Sequence, residues 1–515
     1  MHIIVPMSGI GKRFLNAGYT TPKPLIEVEG KPIVQHVIEL FPGNHRFTFV
    51  CNNHHLSTTK MKEILNDIVP GCNIVEVDVN NRKGPVGAVL QASVFIRDDE
   101  PTIVSYCDYG TQWSFEEFVK DCNDTDADGC IACYKGFHPH MLGTDNYAFV
   151  KENAKWMDEI REKQPFTDDR MSEYASNGTY YFKRGDMIKQ YFKKLVELNQ
   201  PVNGEFYVSL VYNLMKQDAL RIRIFEIQKM LQWGTPKDLE EYLLWSDYFL
   251  NRHPIPSIVS TRNTTLILPM AGAGSRFFNE GYAMPKPLLD IEGTPMIIKA
   301  VECLPQTNRK IFVCQNDHLR KFDIESQIHA HFSNTSVIGI DGITQGQAST
   351  CDIAFNSQLC IDDAVLISAC DNGVYYNIRE YEKLMNDDDV DIIVWCFSNN
   401  PTSKLYPHMY AWVDVDTDNY IKRVSVKKPF DDCENKYAII GTFLFKEGRF
   451  FKEGLEHIYK HDIRTNNEFY VDNMIEPLIA MGYKCKIFNV SNYLCWGTPN
   501  DYKTYNYWHE FFTKL

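Results

Sequence analysis

Two short apolar runs, Ile3 to Pro6 and Leu266 to Pro269, break into glycines, which is the pattern of a buried strand running into a loop. Each is followed by a stretch with helical spacing, Ile33 to Leu40 and Met296 to Leu304, and then by a further apolar strand, Phe47 to Cys51 and Lys310 to Cys314. Strands alternating with helices predict an α/β domain with a largely parallel sheet, whose ligands lie beyond the carboxyl ends of the strands. Both glycine loops fall at such an end.

The pattern occurs twice because the chain repeats itself. Ile4-Val5-Pro6-Met7-Ser8-Gly9-Ile10-Gly11-Lys12-Arg13-Phe14, with Pro22-Lys23-Pro24-Leu25 after it, returns 263 residues later as Ile267 to Phe277 with Pro285-Lys286-Pro287-Leu288. Asn203 to Val208 matches Asn466 to Val471, and Trp233-Gly234-Thr235-Pro236 matches Trp496-Gly497-Thr498-Pro499. A period this long means duplicated domains, since solenoid and propeller repeats run to about 20–50 residues. We expect domains at 1–250 and 265–515. Residues 251–264, rich in proline and hydroxyls, read as a linker with the boundary near Thr261.

Composition changes this picture little. The net charge of −14 speaks against a nucleic-acid partner, while small anions remain possible where lysine and arginine cluster. Fifteen cysteines without a disulfide framework suit reduced thiols in the cytoplasm, and Cys130-Ile131-Ala132-Cys133 reads as core strand rather than a metal pair. No apolar run nears the length of a membrane span, so no membrane partner is expected. The first residues after Met1 already read as a strand, so no export leader is expected. An oligomer remains open.

The candidate chemistry sits in the repeated motifs. In Gly-x-Gly-x-Arg, Gly9 and Gly11, or Gly272 and Gly274, let the backbone amides of the loop approach a polyphosphate, with Lys12 and Ser275 in the same turn. Arg13 and Arg276 add a forked cationic donor. The dinucleotide fingerprint would need a third glycine at Phe14 or Phe277. Around Lys23 and Lys286 the flanking prolines disfavour helix and hold the lysine extended, aiming its ammonium at a phosphate.

Gly-x-Gly-x-Arg-Phe followed by Pro-Lys-Pro-Leu closely resembles the sugar-phosphate nucleotidylyltransferases, or nucleotide-diphosphate-sugar pyrophosphorylases, and both halves match along their length. The resemblance implies two tandem Rossmann-like nucleotidyltransferase domains, each a mostly parallel mixed sheet flanked by helices. It also implies Mg2+-dependent transfer of a nucleotidyl group from a nucleoside triphosphate to a sugar 1-phosphate. By the same resemblance Asp108 and Asp371 are metal ligands, although cysteine stands before each where the family has glycine. Lys163 and Lys427 hold the acceptor phosphate, with Gly178 and Gly441 beside the acceptor, and Gly84 and Gly346 let the base lie against the backbone.

The two copies differ in ways that bear on their substrates. Glu162, which resembles the family's acceptor of sugar hydroxyls, corresponds to Val426, and Gly84 and Gly346 have different flanking residues. Asp472 resembles the family's second metal ligand, whereas the first copy has Ser209 there. The N-terminal copy is therefore expected to hold metal more weakly, or to use another acid such as Glu205. His140 and His408 read as structural loop histidines. A glycosyltransferase would show Asp-x-Asp at the metal, and Asp108-Tyr109-Gly110 and Asp371-Asn372-Gly373 carry one acid each. The remaining alternative makes one half a nucleotide-sensing or assembly module.

Overall fold

A computed structural model describes residues 1–78, 84–251, 262–359 and 361–514. Most of the expected linker, residues 252–261, lies outside the described residues, as does Lys83 beside Gly84. Clustering of contacts divides the chain into two compact units, Met1–Leu244 and Trp245–Leu515. The division falls within the helix Pro236–Asn251.

In the N-terminal unit the apolar runs become the strands of one nine-stranded sheet. Its order is Asn73–Val77, Arg46–Asn52, His2–Met7, Thr102–Ser105, Tyr174–Phe182, Gly129–Tyr134, Ile222–Glu226, Trp156–Glu162, Ala148–Asn153. The first four strands are parallel. Tyr174–Phe182 then runs antiparallel to both of its neighbours, Thr102–Ser105 and Gly129–Tyr134, so the sheet is mixed. All nine of its residues are buried, as expected of a strand covered on both faces. Cys130 and Cys133 are fully buried in the adjoining strand, which matches their reading as core.

The C-terminal unit repeats the scheme, with order Thr335–Ile340, Arg309–Gln315, Thr264–Pro269, Ala364–Ile367, Tyr437–Phe445, Ile392–Phe397, Cys485–Asn489, and the hairpin Ala411–Val415/Ile421–Val426 attached to Tyr437–Phe445. Even the register is kept. Tyr180 pairs with Val104 in one unit and Phe443 with Ile367 in the other, each 263 residues on. Ser176 faces Cys133 as Ile439 faces Cys396, again with the same offset. Because one step of slippage would turn every side chain to the opposite face, this identity makes the two sites comparable residue by residue.

Core packing follows the pattern of the apolar strands. Ile3, Ile4 and Val5 are fully buried, as are Leu266, Ile267 and Leu268. The carboxyl ends of His2–Met7 and Thr102–Ser105 lead into the glycine loop and Asp108, which is how the fold brings two distant motifs together. No helix among the described residues is long and apolar enough to cross a membrane.

Candidate functional sites

The glycine loop leaves the first strand and enters a short helix, Lys12–Asn16, through Gly11 at φ +66°, and its counterpart enters Ser275–Asn279 through Gly274 at φ +60°. A side chain is strained there, so glycine is required by the turn itself. The neighbouring strand pins each loop: Asn52 Nδ2 donates to Ser8 O at 3.2 Å, and Gln315 Nε2 to Ala271 O at 2.8 Å. Lys12, Arg13, Ser275 and Arg276 are exposed at the start of the helix. Arg13 reaches across to Asn146, donating to Oδ1 at 3.2 Å.

Lys23 opens a turn of 3-10 helix, Lys23–Leu25, and Lys286 opens Lys286–Leu288, so the expectation of extended backbone at the lysine is corrected. Pro24 and Pro287 stand in the first turn, where their missing N–H has no helical partner to lose. The stiffness inferred from the prolines remains, with Pro22 and Pro285 extended ahead of the turn. Each lysine is aimed at the aspartate of its own half: Lys23 Nζ lies 2.6 Å from Asp108 Oδ2, and Lys286 Nζ 2.5 Å from Asp371 Oδ2. Side-chain exposure is 22% and 24% in the first pair, 22% and 23% in the second, so the two pairs share one environment. Burial opposes the charge on both lysines, but the adjacent aspartate outweighs it and raises both above the ordinary lysine range.

One face of each aspartate is kept open by a glycine whose part the motif reading missed. A Cβ on Gly234 would stand 2.9 Å from Asp108 Oδ2, and one on Gly497 3.2 Å from Asp371 Oδ2. These glycines belong to the repeated Trp-Gly-Thr-Pro segments, whose recurrence was the available signal. A hard carboxylate oxygen with clear space beside it suits magnesium, which takes one or two carboxylates and fills its remaining positions with water and phosphate oxygens. Among the described residues no group of three or more His, Cys, Asp or Glu forms a ready-made metal site.

Lys163 and Lys427 end their strands at φ +58° and +59°. A left-handed lysine is uncommon, and it recurs at the same place in both units. Their amides donate to Tyr147 O at 2.8 Å and Tyr410 O at 3.1 Å, fixing the bend. Lys163 Nζ donates to Tyr207 Oη at 2.7 Å, while Lys427 Nζ donates to Met409 O. Burial lowers the pKa of Lys427, partly offset by Asp472.

Ser209 is fully buried and donates from Oγ to Glu162 Oε2 at 2.6 Å. The acid that faces Ser209 is therefore Glu162 and not Glu205, which is exposed and takes the Tyr207 hydroxyl at 2.9 Å. In the C-terminal unit the corresponding positions hold Val426 and buried Asp472, so each unit has one carboxyl across this gap, supplied from opposite sides. Burial raises Asp472, against the pull of Lys427. Glu162 is raised to about 7, chiefly by burial and against the Ser209 hydrogen bond and Lys163.

A pH dependence follows. The native carboxyl of Glu162 holds its proton to higher pH than the unfolded one, so its contribution to stability falls as pH rises from 4.5 to about 7. In urea unfolding, Glu162→Gln should lose that slope and gain on the parent at pH 8 relative to pH 4. An unchanged pH profile would contradict the burial assigned to this group.

Gly178, at φ +100°, brings the backbone against the Tyr106 ring, and Gly441 lies correspondingly against Ala369. Gly84 and Gly346 have a packing role that was not expected: a Cβ would fall 2.8 Å from Phe206 N and 2.6 Å from Phe469 N. Gly84 also lines the cavity around Gly9, Lys23 and Asp108, whereas in the C-terminal unit Gln347 takes that place. With φ at +70° and +132°, Gly84→Ala or Gly346→Ala should each destabilise the protein by about 3 kcal/mol, read as a lower urea midpoint. His140 is a buried structural residue bonded to Tyr134 Oη at 3.0 Å, whereas His408 is exposed.

Residues 3–246 match the family model described as nucleotidyl transferase. The match covers just under half of the chain and makes the N-terminal unit similar to the nucleotidyl transferases. Among curated proteins, the chain is 22% identical over 130 residues to a glucose-1-phosphate cytidylyltransferase of Salmonella typhimurium, covering 21% of this chain. The match spans 50% of that relative's length. Among solved structures, a nucleoside-diphosphate-sugar pyrophosphorylase from Vibrio cholerae aligns over 47% of this chain and 99% of its own, at 23% identity and TM-score 0.39. A UDP-glucose pyrophosphorylase complexed with UDP-glucose aligns over 49% and 99%, at 19% identity and TM-score 0.39.

Proposed function

We propose that the chain is a sugar-phosphate nucleotidyltransferase with two catalytic sites, each joining a nucleoside triphosphate to a phosphorylated acceptor and releasing pyrophosphate. The observation that carries this reading is the recurrence, in both units, of a glycine loop packed on a lysine that is ion-paired to a strand-end aspartate. A second, left-handed lysine closes the other side.

In this reading an oxygen of the acceptor phosphate attacks the α-phosphorus in line, forming the new P–O bond as the bond to pyrophosphate breaks. No enzyme nucleophile is needed, so positioning and charge compensation carry the reaction. The loop amides and Arg13 or Arg276 hold the departing phosphates. Lys23 or Lys286 exchanges its aspartate for the α-phosphate as negative charge develops, and Lys163 or Lys427 holds the acceptor. Asp108 or Asp371 would hold magnesium together with substrate phosphates, and the ion would supply charge compensation between two anionic substrates.

The experiment is pyrophosphate release by the full chain with each nucleoside triphosphate and a panel of sugar phosphates. Release requiring both an acceptor and a divalent cation is expected. Turnover unaffected by excess chelator, or nucleotide hydrolysis indifferent to the acceptor, would overturn the mechanism.

A further inference from the structure

The N-terminal acceptor cavity, about 200 Å3, is bounded by Arg13, Asp108, Lys163 and Gly178 and walled by hydrogen-bonded polar pairs. Arg13 is held by Asn146 at 3.2 Å, and Glu162 accepts from Ser209 at 2.6 Å. Ser176 and Tyr180, both buried, line the same cavity from the central antiparallel strand, where Ser176 Oγ accepts from Gly178 N at 3.1 Å. The shared register identifies their counterparts in the C-terminal unit. Asn146 becomes Met409, Glu162 becomes Val426, Ser176 becomes Ile439 and Tyr180 becomes Phe443.

These changes are coupled. Ser176 and Tyr180, two buried hydroxyl residues of one strand, have both become apolar in the other unit, so that neither hydroxyl is left alone in an apolar wall. Ile439 and Phe443 are 4% and 0% exposed, and both pack within one apolar cluster. Ala369 replaces Tyr106 and removes a ring from beside Gly441, where its Cβ lies 3.6 Å from the position a glycine Cβ would take. The phosphate-handling residues, by contrast, are unchanged: Arg276, Lys286, Asp371 and Lys427 match Arg13, Lys23, Asp108 and Lys163. What was kept is the charged set, and what was altered is the rest of the cavity wall.

Resting on the nucleotidyltransferase reading above, we propose that the two sites take acceptors of different kinds: a polyhydroxylated sugar phosphate in the N-terminal unit, and in the C-terminal unit a phosphate monoester whose carbon skeleton is poor in hydroxyls. A hydroxyl placed against Ile439 and Phe443, on the side away from Asp472, would lose its water without finding a partner in either side chain. A methyl or methylene there would gain from burial. In the N-terminal site the order reverses, since an acceptor lacking the hydroxyl that meets Glu162 leaves that carboxyl with Ser209 as its hydrogen-bond donor and forfeits the second bond. A deoxy-sugar phosphate and an alkyl phosphate share the required chemistry in the C-terminal site, so both belong in the test.

The test uses the full chain with one site silenced at a time, Lys286→Ala leaving the N-terminal site and Lys23→Ala the C-terminal site. Pyrophosphate release is measured with glucose 1-phosphate, 6-deoxyglucose 1-phosphate and butyl phosphate at saturating nucleotide. The Lys286→Ala chain should favour glucose 1-phosphate in kcat/KM by about 100-fold or more over butyl phosphate. The Lys23→Ala chain should reverse the order, turning over 6-deoxyglucose 1-phosphate, butyl phosphate or both at least tenfold better than glucose 1-phosphate. Which of the two leads distinguishes a deoxy-sugar from an alkyl acceptor. Ile439→Ser with Phe443→Tyr, placed in the Lys23→Ala chain, should move its preference back toward glucose 1-phosphate. Two active sites with the same ranking would overturn this inference while leaving the nucleotidyltransferase reading intact. Release from neither chain with any acceptor, when the parent is equally silent, would overturn both.

Discussion

A chain carrying both Lys23→Ala and Lys286→Ala should release pyrophosphate about 100- to 1000-fold more slowly than the parent, the loss associated with removing one preorganised charge-stabilising donor from each site. Each single variant should lose only the turnover of its own half. The geometry makes this the largest expected effect. Each ammonium sits within hydrogen-bond reach of a strand-end aspartate, is held on a proline-braced turn, and is kept protonated by that aspartate against the effect of burial. Arginine should not rescue either position, because a planar fork cannot stand where a compact ammonium fits between the glycine loop and the carboxylate. Urea unfolding keeps the result interpretable: the substitutions fall in partly exposed ion pairs, so the double variant should retain a cooperative transition near the parent midpoint. A double variant with near-parental turnover would remove the lysines from the mechanism.

Asp472→Ser should raise the magnesium needed for half-maximal turnover of the C-terminal site about tenfold or more, measured in the Lys23→Ala chain with whichever acceptor that site uses. A neutral hydroxyl is a poorer partner than a carboxylate for a hard dication. The N-terminal unit suggests how to restore the site. There Ser209 stands in the position of Asp472 and meets Glu162 at 2.6 Å, which shows that this backbone accommodates a carboxyl from the opposite strand. Adding Val426→Glu to Asp472→Ser should therefore recover part of the lost magnesium affinity, whereas Val426→Glu alone places two carboxyls across one gap and should weaken the fold through their repulsion. If Asp472→Ser leaves the magnesium titration unchanged, Asp472 serves packing only.

Much of the site was legible because its parts are local. The glycine at φ +66° or +60° is demanded by a turn of a few residues, and lysine between prolines announces a constrained backbone wherever it occurs. The buried strands were legible for the same kind of reason, since runs such as Ile3 to Pro6 carry their burial in composition alone. The 3-10 turn at Lys23 was not, because a proline that forbids the interior of a helix is compatible with its first turn, and the choice is made by the aspartate the lysine reaches. The open space that Gly234 leaves beside Asp108 was equally invisible, since the two residues are far apart in the chain.

The sequence by itself determined that one α/β unit occurs twice, which repeated residues are the candidates for phosphate binding in each, and that Glu162 and Ser209 differ from Val426 and Asp472. Only the tertiary structure decided that Glu162 and Ser209 touch, so that two substitutions separated along the chain are a single exchange of carboxyl across one gap. It also set Ser176 and Tyr180 along one cavity with Lys163, which gave scattered apolar replacements a common location. The physical reason is that burial and turn chemistry act on neighbours in sequence, whereas hydrogen-bond satisfaction acts on neighbours in space, and strand pairing alone makes those neighbours known.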